Sequence, residues 1–412
     1  MKNILLSFFL LVFLVSCAPA TASPTPPPAT PTSLPPSNTP LPPNPSPTLP
    51  APSATPVSSA TPAPSSTPIP SATPTRAQPT LSPTPTFPPT ATLRPGARLA
   101  VIGAAAVYDP KHDTLLTFGG ALVNPLPPSG GVLTASDTVT AETWGWFPIT
   151  GWQLLDPPTS PPARRDATLV YDRSTQQVLL FGGYSPTEGY LNDTWLWDGK
   201  AWTQQSPSQS PSPRSGAVIA CDAAHNNIIL FGGINEANGS KQYLKDTWLW
   251  ENGTWVETDS SGPWYPKTDP PGMVYDSNNA RILMWQPGEG LWVWDGQAWS
   301  GPQASENGPS IHSSALVTYD TMQLQIILLE KPDLAHQYKV WTGSGTRWKA
   351  WDTGDDPATT YPGDLLVYHS ERQQALLLSP QFMPGKPIIM SISYWEPFAK
   401  AWIQMKAVNL RP

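Results

Sequence analysis

The chain is poor in several features that would announce chemistry. Histidine occurs five times, at His112, His225, His312, His336 and His369, and no two stand at a short metal-ligating spacing. No metal centre is therefore expected. Cysteine occurs only at Cys17 and Cys221. There is no glycine-rich phosphate cradle and no nucleophile elbow. Charge is sparse, and its balance is wrong for nucleic acid. Lys2, Arg76 and Arg94 are the only charged residues before position 98. Residues 98–412 hold the other 20 of 23 bases and all 30 acids, so their balance is 20 − 30 = −10. Without a basic surplus to displace counterions, phosphate-backbone binding is not expected as the main role. No cofactor is expected either.

What is present divides the chain in three. Lys2 is followed by an apolar run, Ile4 to Val15, interrupted by Ser7. It is too short for an ordinary membrane-spanning helix and reads as an export signal, residues 1–17. From 18 to 97 the chain is Pro, Thr, Ser and Ala, with 27 of the 55 prolines. Such a segment cannot bury enough apolar surface to fold. In polyproline form its length would reach roughly 250 Å, at about 3.1 Å per residue. It reads as a stalk, and its Ser and Thr are open to sugar attachment.

Residues 98–412 hold a six-fold repeat. Each unit begins with an apolar run that ends in a pair: Tyr108-Asp109, Tyr171-Asp172, Cys221-Asp222, Tyr275-Asp276, Tyr319-Asp320 and Tyr368-His369. Ten residues after each first member stand Phe118, Phe181, Phe231, Trp285, Leu329 and Leu378. Each unit then closes on a Trp: Trp152, Trp202, Trp255, Trp299, Trp348 and Trp402. A period near fifty with four short apolar segments means a radial or stacked β architecture. In the second unit the four strands are expected at 167–171 (a), 177–181 (b), 194–197 (c) and 201–204 (d). Asp198-Gly199 marks a hairpin, as do Asn252-Gly253 and Asp295-Gly296. One small twisted sheet cannot stand alone, and neighbouring sheets would bury each other's faces.

Two resemblances attach to these residues. Leu14-Val15-Ser16-Cys17 resembles the lipobox of bacterial lipoproteins. That implies cleavage before Cys17, lipidation of its thiol and an extracytoplasmic, membrane-anchored protein; the alternative is an ordinary cleavable signal. No structural disulfide would then form, and Cys221 would be a core residue. The repeats resemble the kelch-repeat β-propeller family through Phe118-Gly119-Gly120, Phe181-Gly182-Gly183, Phe231-Gly232-Gly233, Asp193-Thr194-Trp195 and Asp246-Thr247-Trp248. The expectation is an all-β, six-bladed propeller over 98–412. After the third repeat the glycine pair becomes Gln286-Pro287, Glu330-Lys331 and Ser379-Pro380, which leaves the loop geometry of blades four to six open. The run Leu99 to Ile102 is free to pair with the last blade.

In such a propeller the b–c and d–a loops share one face, and loops on a rigid scaffold are where binding resides. Tyr184, Glu188 and Tyr190 fall there from the second unit, and Asn235 and Glu236 from the third. Arg164 and Arg214 stand seven residues before their anchors, with His312 and Tyr361 in the same register of units five and six. These four suggest a funnel for an anionic or polar group; the alternative is an Arg that pairs locally with its neighbour. Arg165 is a further candidate of the binding face. Sixteen of nineteen Trp are explained as strand c or closing Trp that pack between blades. Trp285 reads as core, which leaves Trp264 and Trp351 as candidates for sugar contact. Copper radical oxidases of this family need a Cys beside a ligand Tyr and two His, which Cys221 does not provide. The reading favours a monomeric, non-catalytic surface module that binds a protein or glycan. The alternative is a sugar-acting enzyme, sialate epimerase-like or sialidase-like, with its site in the central funnel. No sialidase-type Asp box accompanies the c–d hairpins.

Overall fold

The computed structural model describes residues 98–124, 134–259, 262–266, 270–304, 307–310, 314–331, 338–351, 364–381, 388–397, 399 and 401–405. Cys17, the stalk, His312, Tyr361 and His336 lie outside them. Every regular element among the described residues is a strand. Six four-stranded antiparallel sheets each run a-b-c-d in chain order. The a strands are Ala105–Asp109, Thr168–Asp172, Val218–Asp222, Gly272–Asp276, Ser314–Asp320 and Leu365–His369. Each a strand lies against the next, and the sixth lies against the first. The six sheets therefore close into a ring, as the sequence pattern implies. The fold is a six-bladed β-propeller.

The physical reason for the period is visible between blades. Each of the six apolar clusters joins two neighbouring sheets, and none is confined to one blade. The strand b residue ten after each anchor is at most 1 % exposed in all six blades. In four interfaces it meets the closing Trp of the following blade: Phe118–Trp202, Phe181–Trp255, Phe231–Trp299 and Trp285–Trp348, with ring centroids 5.1–6.0 Å apart and tilted edge to face. That geometry adds to simple area burial. The indole of Trp202 donates to Thr143, that of Trp255 to Thr194 and that of Trp299 to Thr247, each at 2.9 Å across the interface.

Three expectations change. First, the segments after the glycine pairs in blades two and three are not loops. Strands b and c run on as hairpins, Gln177–Ser185 with Gly189–Trp197 and Asn227–Ala237 with Ser240–Glu251. The register slips at the glycines, between Leu191 and Thr194 and between Phe231 and Gly233. A bulge there bends the ladder without ending it. In blade one, Ala121–Val123 pairs instead with Val101–Ile102 and Ala135–Val139 as a separate three-stranded sheet. Second, Cys221 is half-buried rather than enclosed, packed on the cluster between blades two and three, where burial pushes its thiol pKa up. Third, Trp351, a candidate for sugar contact, is the last residue of strand d of blade five, Trp348–Trp351.

The N-terminal run pairs with the last blade. Leu99 bridges Ile389, Ala100 N–H donates to Ile388 O at 2.9 Å, and Met390 N–H donates to Arg98 O at 2.8 Å. The next two residues, Val101 and Ile102, pair with Leu122 and Ala121 beside blade one. Five residues thus span the seam between blades six and one.

Candidate functional site

Arg164 and Arg214 are interior clasps. Both are fully buried. Arg164 is bidentate to Asp193 at 2.5 and 2.8 Å, and donates to Gly182 O and Pro162 O. Arg214 repeats this with Asp246 at 2.7 and 2.8 Å, Gly232 O and Ser212. Their own carbonyls accept from Gly120 N and Gly183 N of the preceding blade. In each case the first glycine of the pair lies at φ near +65° and the second at +100° or more. A Cβ on Gly182 would stand 2.7 Å from Arg214 O. The glycine pair is therefore a socket for the next blade's arginine backbone. Burial alone would raise the Asp246 carboxyl pKa, but Arg214 and Trp248 hold it down. Neither arginine has surface to offer a ligand; the locally paired alternative describes them.

In blade one a buried arginine that the register did not reveal takes a comparable place, bonded to Thr117 where Arg164 and Arg214 bond a carboxylate. Arg98 is buried between the rings of Trp144 and Trp152, at 5.8 and 5.3 Å, and bonds Thr117. Gly119 O lies 3.4 Å from its guanidinium. Burial lowers its pKa to about 10, against the pull of Glu142. Glu142 accepts from Trp144 as Asp193 does from Trp195 and Asp246 from Trp248.

Arg165, one residue from Arg164, is different. Its side chain is 39 % exposed and pairs with Asp166. Its guanidinium lies 5.0 Å over the Tyr184 ring, and Tyr184 meets Tyr190 edge-on at 5.1 Å across the hairpin. The backbones of Arg165 and Tyr184 exchange two hydrogen bonds, of 3.0 and 2.8 Å. Asp166 N–H donates to Gly103 O at 2.7 Å, and Gly216 N–H donates to Asp166 O at 2.8 Å. These contacts place the group at the rim of the ring, on the b–c/d–a face. Burial raises the Asp166 carboxyl pKa, and Arg165 counters it in part. Burial also raises Tyr190, followed by the charge of Glu236 on the neighbouring hairpin.

The remaining candidates are distributed. Glu188 is exposed near the tip of the blade-two hairpin. Trp264 is 74 % exposed, with Lys245 Nζ 5.2 Å over its ring, and its carbonyl is held by the buried Gln286 amide. Next to it Tyr265 is buried and donates to Gly216 O, so the exposed indole sits on a braced backbone. Trp351 is not a surface platform: its indole donates to Thr342 at 2.9 Å and its ring packs on Trp395 at 6.0 Å. The axial channel, a cavity of about 270 Å³, is lined by a strands and the residues before them, with Ala105, Leu169, Ile219, Met273, Val317 and Leu366 among its wall. Among the described lining residues, Thr168 is the one side chain with a polar N or O group. Among the described residues no group of three His, Cys, Asp or Glu is placed to hold a metal.

Residues 104–284 match a family model described as the KLHDC2/KLHL20/DRC7 Kelch-repeats domain. That stretch, less than half of the chain, is similar to a kelch-repeat domain. The match ends inside strand b of blade four, Arg281–Gln286, just where the kelch glycine pair is replaced by Gln286-Pro287. Among solved structures, one titled "Structure of YjhT" is 13% identical, with 73% of this chain and 96% of that chain covered and a TM-score of 0.48. No curated protein matches the sequence.

Proposed function

We propose that this chain is a non-catalytic binding module that recognises a protein or glycan through the b–c/d–a face of its kelch propeller. A lipid on Cys17 would hold it at the extracytoplasmic face of a bacterial membrane, spaced off by the proline-rich stalk. The observation that carries the binding reading is the contrast between the face and the channel. The face presents Arg165, Tyr184, Glu188, Tyr190 and Trp264 on braced hairpins and loops. The channel wall is apolar, so a sugar-acting enzyme working inside it finds no acid–arginine pair among the described lining residues. Exposed aromatics beside charged groups, on a rigid scaffold, suit recognition.

The test of the binding reading is a glycan-array and pull-down screen with the full chain, repeated with a Trp264→Ala, Arg165→Gln double variant. Loss of a captured partner with unchanged thermal stability is expected. A partner retained at full affinity would remove the face from the proposal. For the anchor, Cys17→Ser should move the protein from the membrane fraction to the soluble fraction, and retention would count against lipidation.

A further inference from the structure

The rim of the propeller carries one backbone arrangement three times. Ile102, Gly103 and Ala121 in blade one correspond to Arg165, Asp166 and Tyr184 in blade two, and to Ser215, Gly216 and Ile234 in blade three. In each set the first residue pairs with the third. The middle residues are left-handed in all three, at φ +71°, +54° and +66°. They are linked across blades by Asp166 N–H to Gly103 O and Gly216 N–H to Asp166 O. In blade four the position falls on Pro270, which has no N–H, and the Tyr265 hydroxyl donates to Gly216 O instead. Since the same backbone forms from Ile-Gly-Ala and Ser-Gly-Ile, folding does not require Arg-Asp-Tyr.

Asp166 is moreover unfavourable to the fold. A non-glycine residue in the left-handed region is strained. Its carboxyl pKa is raised from 3.8 by burial, so the charged form is disfavoured in the folded chain. That cost is absent below pH 3.8 and grows as pH rises through the folded pKa. Residues that break a local rule without a structural gain belong to functional sites.

The polar atoms of this group are also unspent. Among the described residues, Arg164 and Arg214 have their guanidinium groups bonded on both terminal nitrogens, whereas the Arg165 side chain bonds Asp166 through Nη1 alone. Asp166 Oδ1 accepts nothing from them, and the Tyr184 and Tyr190 hydroxyls make no hydrogen bond to them. Donors and acceptors thus stand side by side, next to two half-exposed rings.

We propose that Arg165, Asp166, Tyr184 and Tyr190 form a binding subsite for a neutral saccharide ring. The proposal rests on the binding-module reading and narrows its ligand to a glycan. A carboxylate and a guanidinium in contact repel anions and cations respectively, while a polyhydroxylated ring supplies hydroxyls that donate to Asp166 and accept from Arg165. The exposed parts of the Tyr rings offer apolar carbon to its C–H surface, with Arg165 already over one face of Tyr184. A peptide adding as a strand is disfavoured at this point, because the Tyr184 backbone is already paired on both sides, with Tyr190 and with Arg165.

The test is calorimetric titration of the full chain with neutral oligosaccharides (cellotriose, maltotriose, chitotriose) and acidic ones (sialyllactose, trigalacturonate). At least one neutral sugar binds, and Asp166→Gly and Arg165→Gln each weaken it at least tenfold. Asp166→Gly at the same time holds or raises Tm, since glycine already fills the equivalent positions 103 and 216. Should Asp166→Gly misfold, Asp166→Asn tolerates the left-handed backbone and removes only the charge. No binding of any neutral sugar, preference for the acidic ones, or undiminished affinity in the Asp166 variant overturns the subsite. If it falls while the Trp264→Ala, Arg165→Gln variant still loses a captured protein partner, the binding-module reading stands. If neither screen responds to any face variant, both fall.

Discussion

His369 shows how a single departure from the repeat changes a physical property. In five blades the a–b turn is closed by an Asp whose Oδ1 accepts a backbone N–H two residues on: Asp109, Asp172, Asp222, Asp276 and Asp320, at 2.8–3.2 Å. In the sixth, His369 Nδ1 accepts from Arg372 N–H at 3.3 Å. Only an unprotonated Nδ1 can accept, so the turn needs neutral imidazole with its proton on Nε2, 3.3 Å from Asp113. The ring is buried and stacks on Tyr108 at 4.0 Å. Burial lowers its pKa from 6.5 to about 4. Between those values the unfolded chain binds the extra proton, so stability falls as pH drops through this window, by up to about 3 kcal/mol. His369→Asn keeps a side-chain acceptor and removes the titration. Its Tm should lose the His-dependent decline between pH 6.5 and 4 that the parent shows, and an identical pH profile would rule out His369 as the source. The sequence marks this position as the one pair without Asp, but the tautomer follows only from what the blade-one neighbours Tyr108 and Asp113 enclose.

At the scale of strands and blades, what was legible is what repeats. The six interfaces follow from the ten-residue offset and the closing Trp, because both terms of each contact recur once in every unit. Contacts that cross the period at irregular spacing were not legible. Arg98 takes a comparable buried place in blade one from a position ten residues before Tyr108, whereas Arg164 and Arg214 stand seven before their anchors. Trp264 and Trp351 looked alike in sequence, yet one is exposed and the other bonds Thr342 and packs on Trp395. The hairpin extensions in blades two and three were missed because glycine pairs read as strand ends, when they are bulges within a strand. The clasp gives a sharp expectation. Arg214→Ala leaves Asp246 half-buried without its partner and empties the Gly232 contact, so it should cost about 3–5 kcal/mol. Thr194→Val is nearly the same shape and leaves the Trp255 indole N–H unbonded in a buried interface, for about 1–3 kcal/mol. Urea unfolding would measure both, and an Arg214→Ala chain of parental stability would show that the clasp is not a structural element.

For the whole molecule, closure decides stability. A ring of blades has no free end only if its first and last units are joined, and here every blade contributes its own four strands. The seam between blades six and one has a buried apolar cluster like the others, and its strand b residue, Leu378, is a leucine like Leu329 at the interface before it rather than an aromatic. It is also bridged by the N-terminal strap, whose Arg98 and Ala100 pair with 388–390 and whose Val101 and Ile102 pair with 121–122. In a one-dimensional array each interface contributes separately, so loss of the strap should open one interface before the rest. A chain that begins at Gly103 should therefore exchange amide hydrogens faster in 388–392 and in 115–118, while the b strands of blades two to four keep their protection. The strap also joins the propeller directly to the chain that leads back toward Cys17. Any pull through that chain would load the seam first, and single-molecule extension from the N-terminus should show an early release of blade six or one. Uniform exchange in the shortened chain, or unfolding that begins in blades three or four, would mean that the ring is held by its apolar interfaces alone.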